Sequence, residues 1–103
     1  MTLHHVVAHD LGLSLARAIL DEAFAHYSDK YPRAQMKRTW RSEREATVDL
    51  QVGGFRLTPR LHVSDTEVVL DIDVPLLARP FVPKIKDKLD REVRFWLARS
   101  REP

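Results

Sequence analysis

Two aspartates occupy alternate positions in an apolar stretch of the sequence. Asp71 and Asp73 flank Ile72, and residues two apart in an extended strand project from the same face. Such a pair can carry out acid–base chemistry when one carboxyl is desolvated and its pKa is raised. Alternatively, the two carboxylates form a solvated charge ladder with Arg60 on a neighbouring strand and Arg56 nearby. We favour the ladder, because the apolar residues take the other face.

Three histidines near the start of the chain could suggest a metal site. They are His4, His5 and His9. Metal sites normally need three or four convergent ligands with supporting contacts, and this spacing matches no zinc motif. We therefore expect no metal here. His9, together with Asp10, has a structural explanation, because the two can close the start of a helix.

Other kinds of catalytic chemistry lack their characteristic residues. The sequence contains no Cys and only three Gly, which excludes thiolate chemistry and leaves no glycine-rich phosphate loop. No serine lies in a G-x-S-x-G pattern. We therefore expect no catalytic residue, no cofactor and no enzymatic activity.

Basic residues on the predicted strands raise the question of nucleic-acid binding. These residues are Lys37, Arg41, Arg56 and Arg60. Sheets that bind single strands use exposed aromatic rings, whereas Phe55 and Trp40 fall on the apolar face of their strands. The 17 Lys and Arg exceed the 15 Asp and Glu by only two. A nucleic-acid-associated regulator is thus the weakest of three functional hypotheses.

The elements that carry these residues follow from hydrophobic periodicity. Apolar residues at steps of three and four predict a helix over about 12–31, with Asp10 as a plausible N-cap and Pro32 ending it. A second helix is predicted over about 80–99, with Pro80 and Pro83 in its first turn. Between the helices the period is two, as in antiparallel strands with one buried face. The alternating segments are 36–41, 46–52, 55–63 and 68–74.

Two predicted hairpins set the strand register. Gly53-Gly54 suits a two-residue turn and places Leu50 opposite Leu57. The turn over 64–67 places Val63 opposite Val68 and Arg60 opposite Asp71. Pro59 lacks an amide donor, so a bulge or a missing ladder bond is expected there.

The predicted fold is a two-layer α+β sandwich of order α-β-β-β-β-α. A four-stranded antiparallel meander is covered on one face by both helices. All 103 residues form one domain, with residues 1–10 as a lead-in and 100–103 as a frayed tail. No segment is apolar enough to span a membrane or to serve as a secretion signal, so a cytoplasmic location is expected.

Several motifs resemble one bacterial family. His9-Asp10-Leu11-Gly12-Leu13 with Ala16-Arg17 is similar to the opening of polyhydroxyalkanoic acid system proteins, and Trp40 is similar to an aromatic in their first strand. The segment from Leu70 to Phe81, followed by Lys84-Ile85 and Leu89-Asp90, resembles their strand-to-helix signature. The resemblance implies a cytoplasmic, granule-associated accessory role in polyhydroxyalkanoate metabolism and carries over no catalytic residue.

The leading functional hypothesis is therefore binding to a polyester granule surface or to a granule protein. The candidate contacts are Phe81, Phe95 and Trp96, of which Phe95 lies off the apolar stripe of its helix. The second hypothesis is a small-ligand or enzyme module with a site between helices and sheet. A homodimer through an edge strand or a helix is compatible with either.

Overall fold

The structure, a computed structural model, describes residues 2–99 and has two helices and six strands. Helix α1 spans Leu13–Lys30 and helix α2 spans Val82–Arg99, the latter preceded by a 3-10 helix over Leu76–Phe81. The strands are β1 (Thr2–Ala8), β2 (Lys37–Trp40), β3 (Glu45–Val52), β4 (Phe55–Leu57), β5 (Arg60–Val63) and β6 (Glu67–Asp73). The expected frayed tail at 100–103 lies outside the described residues.

All described strands belong to one antiparallel sheet in the order β1-β6-β5-β3-β2, with β4 pairing to β3. The α+β class and the antiparallel sheet were predicted. The expected count of four strands and the helix-first order are corrected. The segment expected as a lead-in is strand β1, which pairs with β6 from Thr2 opposite Asp73 to Ala8 opposite Glu67.

Strand β1 was not predicted, because its own sequence pattern is weak and its assignment as a strand depends on its pairing with β6. Leu3 and Val7 lie on the face covered by the helices and are 4% and 0% exposed. His5 interrupts the apolar alternation between them. The segment therefore has a weak strand pattern, although it supplies two fully packed core residues.

Both predicted hairpin registers are confirmed. Leu50 lies opposite Leu57, and Gly53 and Gly54 have φ angles of 55° and 86°. Glycine adopts this left-handed region without steric penalty, as the two-residue turn requires. Val63 lies opposite Val68, as expected.

Pro59 interrupts the ladder without shifting the register. Strands β4 and β5 are two parts of one extended segment, and both pair with β3 in a single alignment. The Val48 amide still donates to the Pro59 carbonyl at 3.0 Å. The missing ladder bond is therefore the one that a proline nitrogen cannot donate, and the alternative of a bulge is not adopted.

The two helices pack on the same face of the sheet. Val7, Val63 and Val68, from three adjacent strands, form one core cluster with Ala16 of α1 and Leu97 of α2. A second cluster joins residues near the start of α2 to the ends of β1 and β6: Leu3, Ile72, Val74 and Val82. The opposite face of the sheet carries the polar positions of the strands, and we call it the open face.

The start of α1 is held by the turn between β5 and β6. The Leu13 amide donates to the Asp65 carboxylate at 2.9 Å, so Asp65 supplies the side-chain contact that was expected from Asp10. His9 links the same two regions: its Nδ1 accepts from the Leu11 amide at 3.1 Å, and its Nε2 donates to the Ser64 carbonyl at 3.0 Å. His9 thus closes the helix start, as its position suggested.

Candidate surface-binding site

Among residues 2–99, the most exposed large apolar side chains lie in the 3-10 helix between β6 and α2. Leu76, Leu77 and Phe81 are 73%, 77% and 57% exposed, and we call these three residues the apolar turn. Between them, Ala78 packs against the second core cluster, and its amide donates to the Pro75 carbonyl at 2.9 Å. Because Ala78 anchors the backbone, the neighbouring leucines remain in solvent.

Two cations lie within or next to the apolar turn. Arg79 lies within the 3-10 helix and Lys84 in the first turn of α2, and both are exposed. Within residues 2–99 neither forms an ion pair. The combination of three exposed apolar side chains and two available donors suits a surface that is apolar but carries hydrogen-bond acceptors.

Phe95 lies on the outer side of α2, far from the apolar turn. It is 54% exposed and, with Lys88, Arg91 and Glu92, lines a shallow depression of about 540 Å³. Phe81 precedes it by four helical turns, which is about 20 Å along the helix axis. Phe81 and Phe95 therefore do not form one continuous patch.

Trp96 is part of the core, and its proposed role as a surface contact is corrected. It is 5% exposed and packs with Ile19 and Ala23 of α1. Its indole N–H donates to the Tyr27 hydroxyl at 2.9 Å. The helical stripe turns this ring inward, so contact with a partner would require separation of α1 and α2.

The Tyr27 hydroxyl links the two helices. It accepts from Trp96 and donates to the Glu92 carboxylate on α2. Burial, together with the hydrogen bond to Glu92, raises the pKa of Tyr27 to about 12. The phenol therefore stays protonated and serves as a structural donor. This link was not foreseen, since a tyrosine on an apolar helical stripe gives no sign of its hydrogen-bond partner.

The charged open face carries Asp71 and Asp73 of β6. Arg60 lies opposite Asp71 as expected, but its guanidinium pairs with the Asp73 carboxylate at 3.4 Å. Asp71 instead accepts from His4 Nδ1 at 2.5 Å. The Thr2 hydroxyl, 2.9 Å away, and the Arg60 charge hold the pKa of Asp73 below its usual value. Asp73 is thus stabilised as a carboxylate, the opposite of what a general acid requires.

Arg56 is separate from this ladder. It lies on β4 beside the glycine turn, is 71% exposed in its side chain, and approaches Asp49 at 3.9 Å. A shallow depression of about 360 Å³ on the open face is lined by residues of both charge signs, including Arg41, Glu45 and Arg60. Because positive and negative side chains are mixed there, this surface is not the continuous basic patch that binds a phosphate backbone.

The aromatic residue of β2 is also turned away from the open face. The Trp40 indole N–H donates to the Asp21 carboxylate of α1 at 2.9 Å, and the Arg17 guanidinium lies 4.2 Å from its ring centre. Trp40 packs against the first core cluster. It therefore provides no stacking platform for a base on the sheet.

The neighbouring histidines of β1 point in opposite directions. His4 lies on the open face, whereas His5 lies on the helix face, where its Nε2 donates to the Asp90 carboxylate of α2 at 2.9 Å. They cannot converge on one ion. Among residues 2–99, no group of three or more His, Asp or Glu is placed to hold a metal.

Neither depression described above lies between the helices and the sheet. Among the described residues, the large apolar side chains that are more than half exposed are those of the apolar turn and Phe95. Leu76 and Leu77 were missed as candidates; the available signal was a pair of leucines off the stripe of α2, between two prolines. Neither helix within residues 2–99 combines the length and apolar character needed to cross a bilayer.

The fold and these surfaces define a small α+β protein with a packed core and an exposed apolar turn. The model of one protein family, described as "Putative polyhydroxyalkanoic acid system protein", matches residues 4–97. The chain therefore belongs to this family of polyhydroxyalkanoic acid system proteins, as its motifs suggested. A search of the curated proteins finds no match.

Proposed function

We propose that the protein is a non-enzymatic accessory of polyhydroxyalkanoate metabolism that attaches to the surface of polyester granules in the cytoplasm. The observation that carries the proposal is the apolar turn, in which Leu76, Leu77 and Phe81 are all more than half exposed. Family membership supplies the metabolic setting.

The chemistry of the turn matches that of a polyester. A polyhydroxyalkanoate presents alkyl side groups and ester carbonyls, which accept hydrogen bonds but cannot donate them. Leu76, Leu77 and Phe81 would lose water against the alkyl groups, and the exposed cations Arg79 and Lys84 would donate to carbonyl oxygens.

The size of the turn sets the expected strength of attachment. Fully burying three large apolar side chains contributes at most about 9 kcal/mol before the entropic cost of association is subtracted. Affinity for a single protein is therefore expected to be micromolar or weaker. Binding assays should accordingly use micromolar protein and a large polyester surface.

The test is co-sedimentation with protein-free polyhydroxybutyrate particles and, in parallel, with native granules. The double variant Leu76→Ser with Leu77→Ser should lose most of the binding. Leu15→Ser is the matched control, because Leu15 is also exposed, at 45%, but lies on α1. Asp65, which bonds to the start of α1, lies just before the first residue of β6. The apolar turn follows the last residue of β6, so the start of α1 is about 20 Å from it.

The variants also separate the candidate contacts. Phe95→Ser should bind like the wild type if the apolar turn is the attachment site, and should lose binding if the outer side of α2 is used instead. If the protein binds native granules but not bare polyester, its partner is a granule protein and not the polyester. Failure of the wild type to sediment with either preparation would overturn the proposal.

A further inference from the structure

Strand β1 is an edge strand without the usual protection against pairing. It forms one end of the sheet, and its seven residues pair with β6 without a bulge. Its sequence, Thr-Leu-His-His-Val-Val-Ala, contains no Lys, Arg, Asp, Glu, Pro or Gly. Natural sheets blunt free edges by short strands, charges, prolines or bulges. β2, at the other end, is only four residues long and contains Lys37 and Arg38.

The hydrogen-bond pattern shows which backbone groups of β1 are free. The His9 amide donates to the Thr66 carbonyl at 2.8 Å, in the same alignment as the pairing of β1 with β6. Along an antiparallel strand, every second residue forms its backbone hydrogen bonds with the strand on one side, and the residues between them direct their N–H and C=O groups to the other side. Leu3, His5 and Val7 therefore bond to β6, and the outward backbone groups belong to Thr2, His4, Val6 and Ala8.

This outward edge is complementary to itself. If two β1 strands run antiparallel about a two-fold axis at His5, Thr2 lies opposite Ala8 of the second copy, and His4 lies opposite its Val6. All four outward residues then sit in hydrogen-bonded pairs, which allows about eight backbone hydrogen bonds. No register shift or bulge is needed.

The side chains are compatible with the same arrangement. On the helix face, Leu3 lies opposite Val7 of the second copy, and both residues are already core residues at 4% and 0% exposure. On the open face, the 38% exposed Val6 faces an imidazole. At the axis, each His5 meets its counterpart while bonded to Asp90 of its own chain. Because β1 contains no Asp, Glu, Lys or Arg, no like-charged strand residues are brought opposite each other.

We propose that the protein forms a two-fold symmetric dimer in which the β1 strands of two copies pair and the sheet continues across both. The axis lies perpendicular to the sheet, so both helix layers remain on the same side. The interface is isologous, with the same residues contributed by each copy. It uses neither the apolar turn nor Phe95, and its test is therefore independent of granule binding.

The first experiment measures mass by sedimentation equilibrium over a range of protein concentrations. The wild type should approach twice the monomer mass of 12.0 kDa. Val6→Pro removes an outward amide but no bond to β6, and Val6→Lys adds a charge at the edge; both should be monomeric with unchanged circular dichroism. Val69→Lys is the matched control, since Val69 lies directly opposite Val6 on the same face but one strand inward, and it should remain dimeric.

A second experiment uses the absence of cysteine in the chain. A single His5→Cys substitution would place two thiols in a non-hydrogen-bonded pair at the axis. The Cα atoms of such a pair are about 4.5 Å apart, within the range of a disulfide. Oxidation should give a covalent dimer with His5→Cys and none with Val69→Cys. A monomeric wild type at all concentrations, or dimers that persist in both Val6 variants, would overturn the proposal.

Discussion

His5 of β1 and Asp90 of α2 are joined by a 2.9 Å hydrogen bond from imidazole Nε2 to carboxylate Oδ1. The His5 side chain is only 12% exposed, although it interrupts an otherwise apolar face of the strand. The same Asp90 oxygen accepts from Arg94 Nε at 3.0 Å. The edge strand is therefore attached to the C-terminal helix by a polar contact as well as by Leu3 and Val7.

The two adjacent histidines should differ sharply in their effect on stability. His5→Ala removes a largely buried ring and its hydrogen bond, and is expected to lower the free energy of unfolding by about 1–2 kcal/mol. His4→Ala removes a 61% exposed side chain on the open face and should cost less than about 0.5 kcal/mol. Urea denaturation of both variants provides the comparison. Equal losses would show that His5 is not held as described.

The contribution of Asp90 should depend on pH in a defined direction. Hydrogen bonds from Arg94 and then His5 lower the pKa of Asp90 in the folded protein. Its stabilising effect is therefore fully present above the unfolded pKa of about 4, and is lost as the pH falls through the lower folded value.

Comparison with Asp90→Asn isolates this effect from the other carboxylates. The wild type should be more stable than the variant at pH 6, and the difference should shrink towards pH 2.5. The measurement is chemical denaturation of both proteins at several pH values. A difference that stays constant or grows on acidification would contradict the assignment.

The Tyr27 hydroxyl should contribute to the free energy of unfolding, although the side chain is only partly buried. Tyr27→Phe leaves the buried Trp96 indole N–H without its acceptor and Glu92 without its donor. The expected cost is about 1–3 kcal/mol in the free energy of unfolding. Tyr31→Phe is the control, because Tyr31 is 43% exposed and the change should be close to neutral. A thermal or urea melt of each variant measures the difference.

The same hydroxyl predicts an alkaline loss of stability. With its pKa raised to about 12 in the folded protein, the phenol binds its proton more tightly there than in the unfolded chain. Stability should therefore fall as the pH rises above about 10, the unfolded value. Tyr27→Phe should lose less stability than the wild type between pH 9 and pH 11. An equal loss in the two proteins would be inconsistent with this assignment.

The start of α1 allows a direct comparison of two aspartates. Asp65→Ala removes the carboxylate that accepts from the Leu13 amide, and should cost about 1 kcal/mol, as the loss of an N-cap does. The amide signals of residues 11–14 should also exchange faster with solvent. If Asp10→Ala has the larger effect, the cap predicted from the local sequence is the dominant one.

Local patterns were sufficient for much of the fold. The glycine pair at 53–54 and the alternation around Val63 and Val68 specified two hairpins, because turn geometry and a single buried face permit one register. Pro59 was identified as the point at which the ladder fails. The apolar stripes of both helices were found within a few residues of their observed ends.

The candidate binding site was only partly predictable. The exposure of Phe95 follows from its position off the helical stripe, but the same stripe places Trp96 in the core. Leu76 and Leu77 were overlooked because a 3-10 helix has neither of the two periods used to assign faces. Their exposure depends on how Ala78 anchors the turn against the second core cluster.

By itself, then, the sequence determined the α+β class, two helices, two hairpin registers and the family. These features depend on contacts between near neighbours in the chain or on periodicity within one element. Only the tertiary structure decided that the first residues form an edge strand, that Asp65 contacts the start of α1, and that His5 reaches Asp90. Asp65 is 52 positions from Leu13, and His5 is 85 positions from Asp90. Which distant residues meet depends on the packing of the whole chain, and a local sequence pattern does not contain that information.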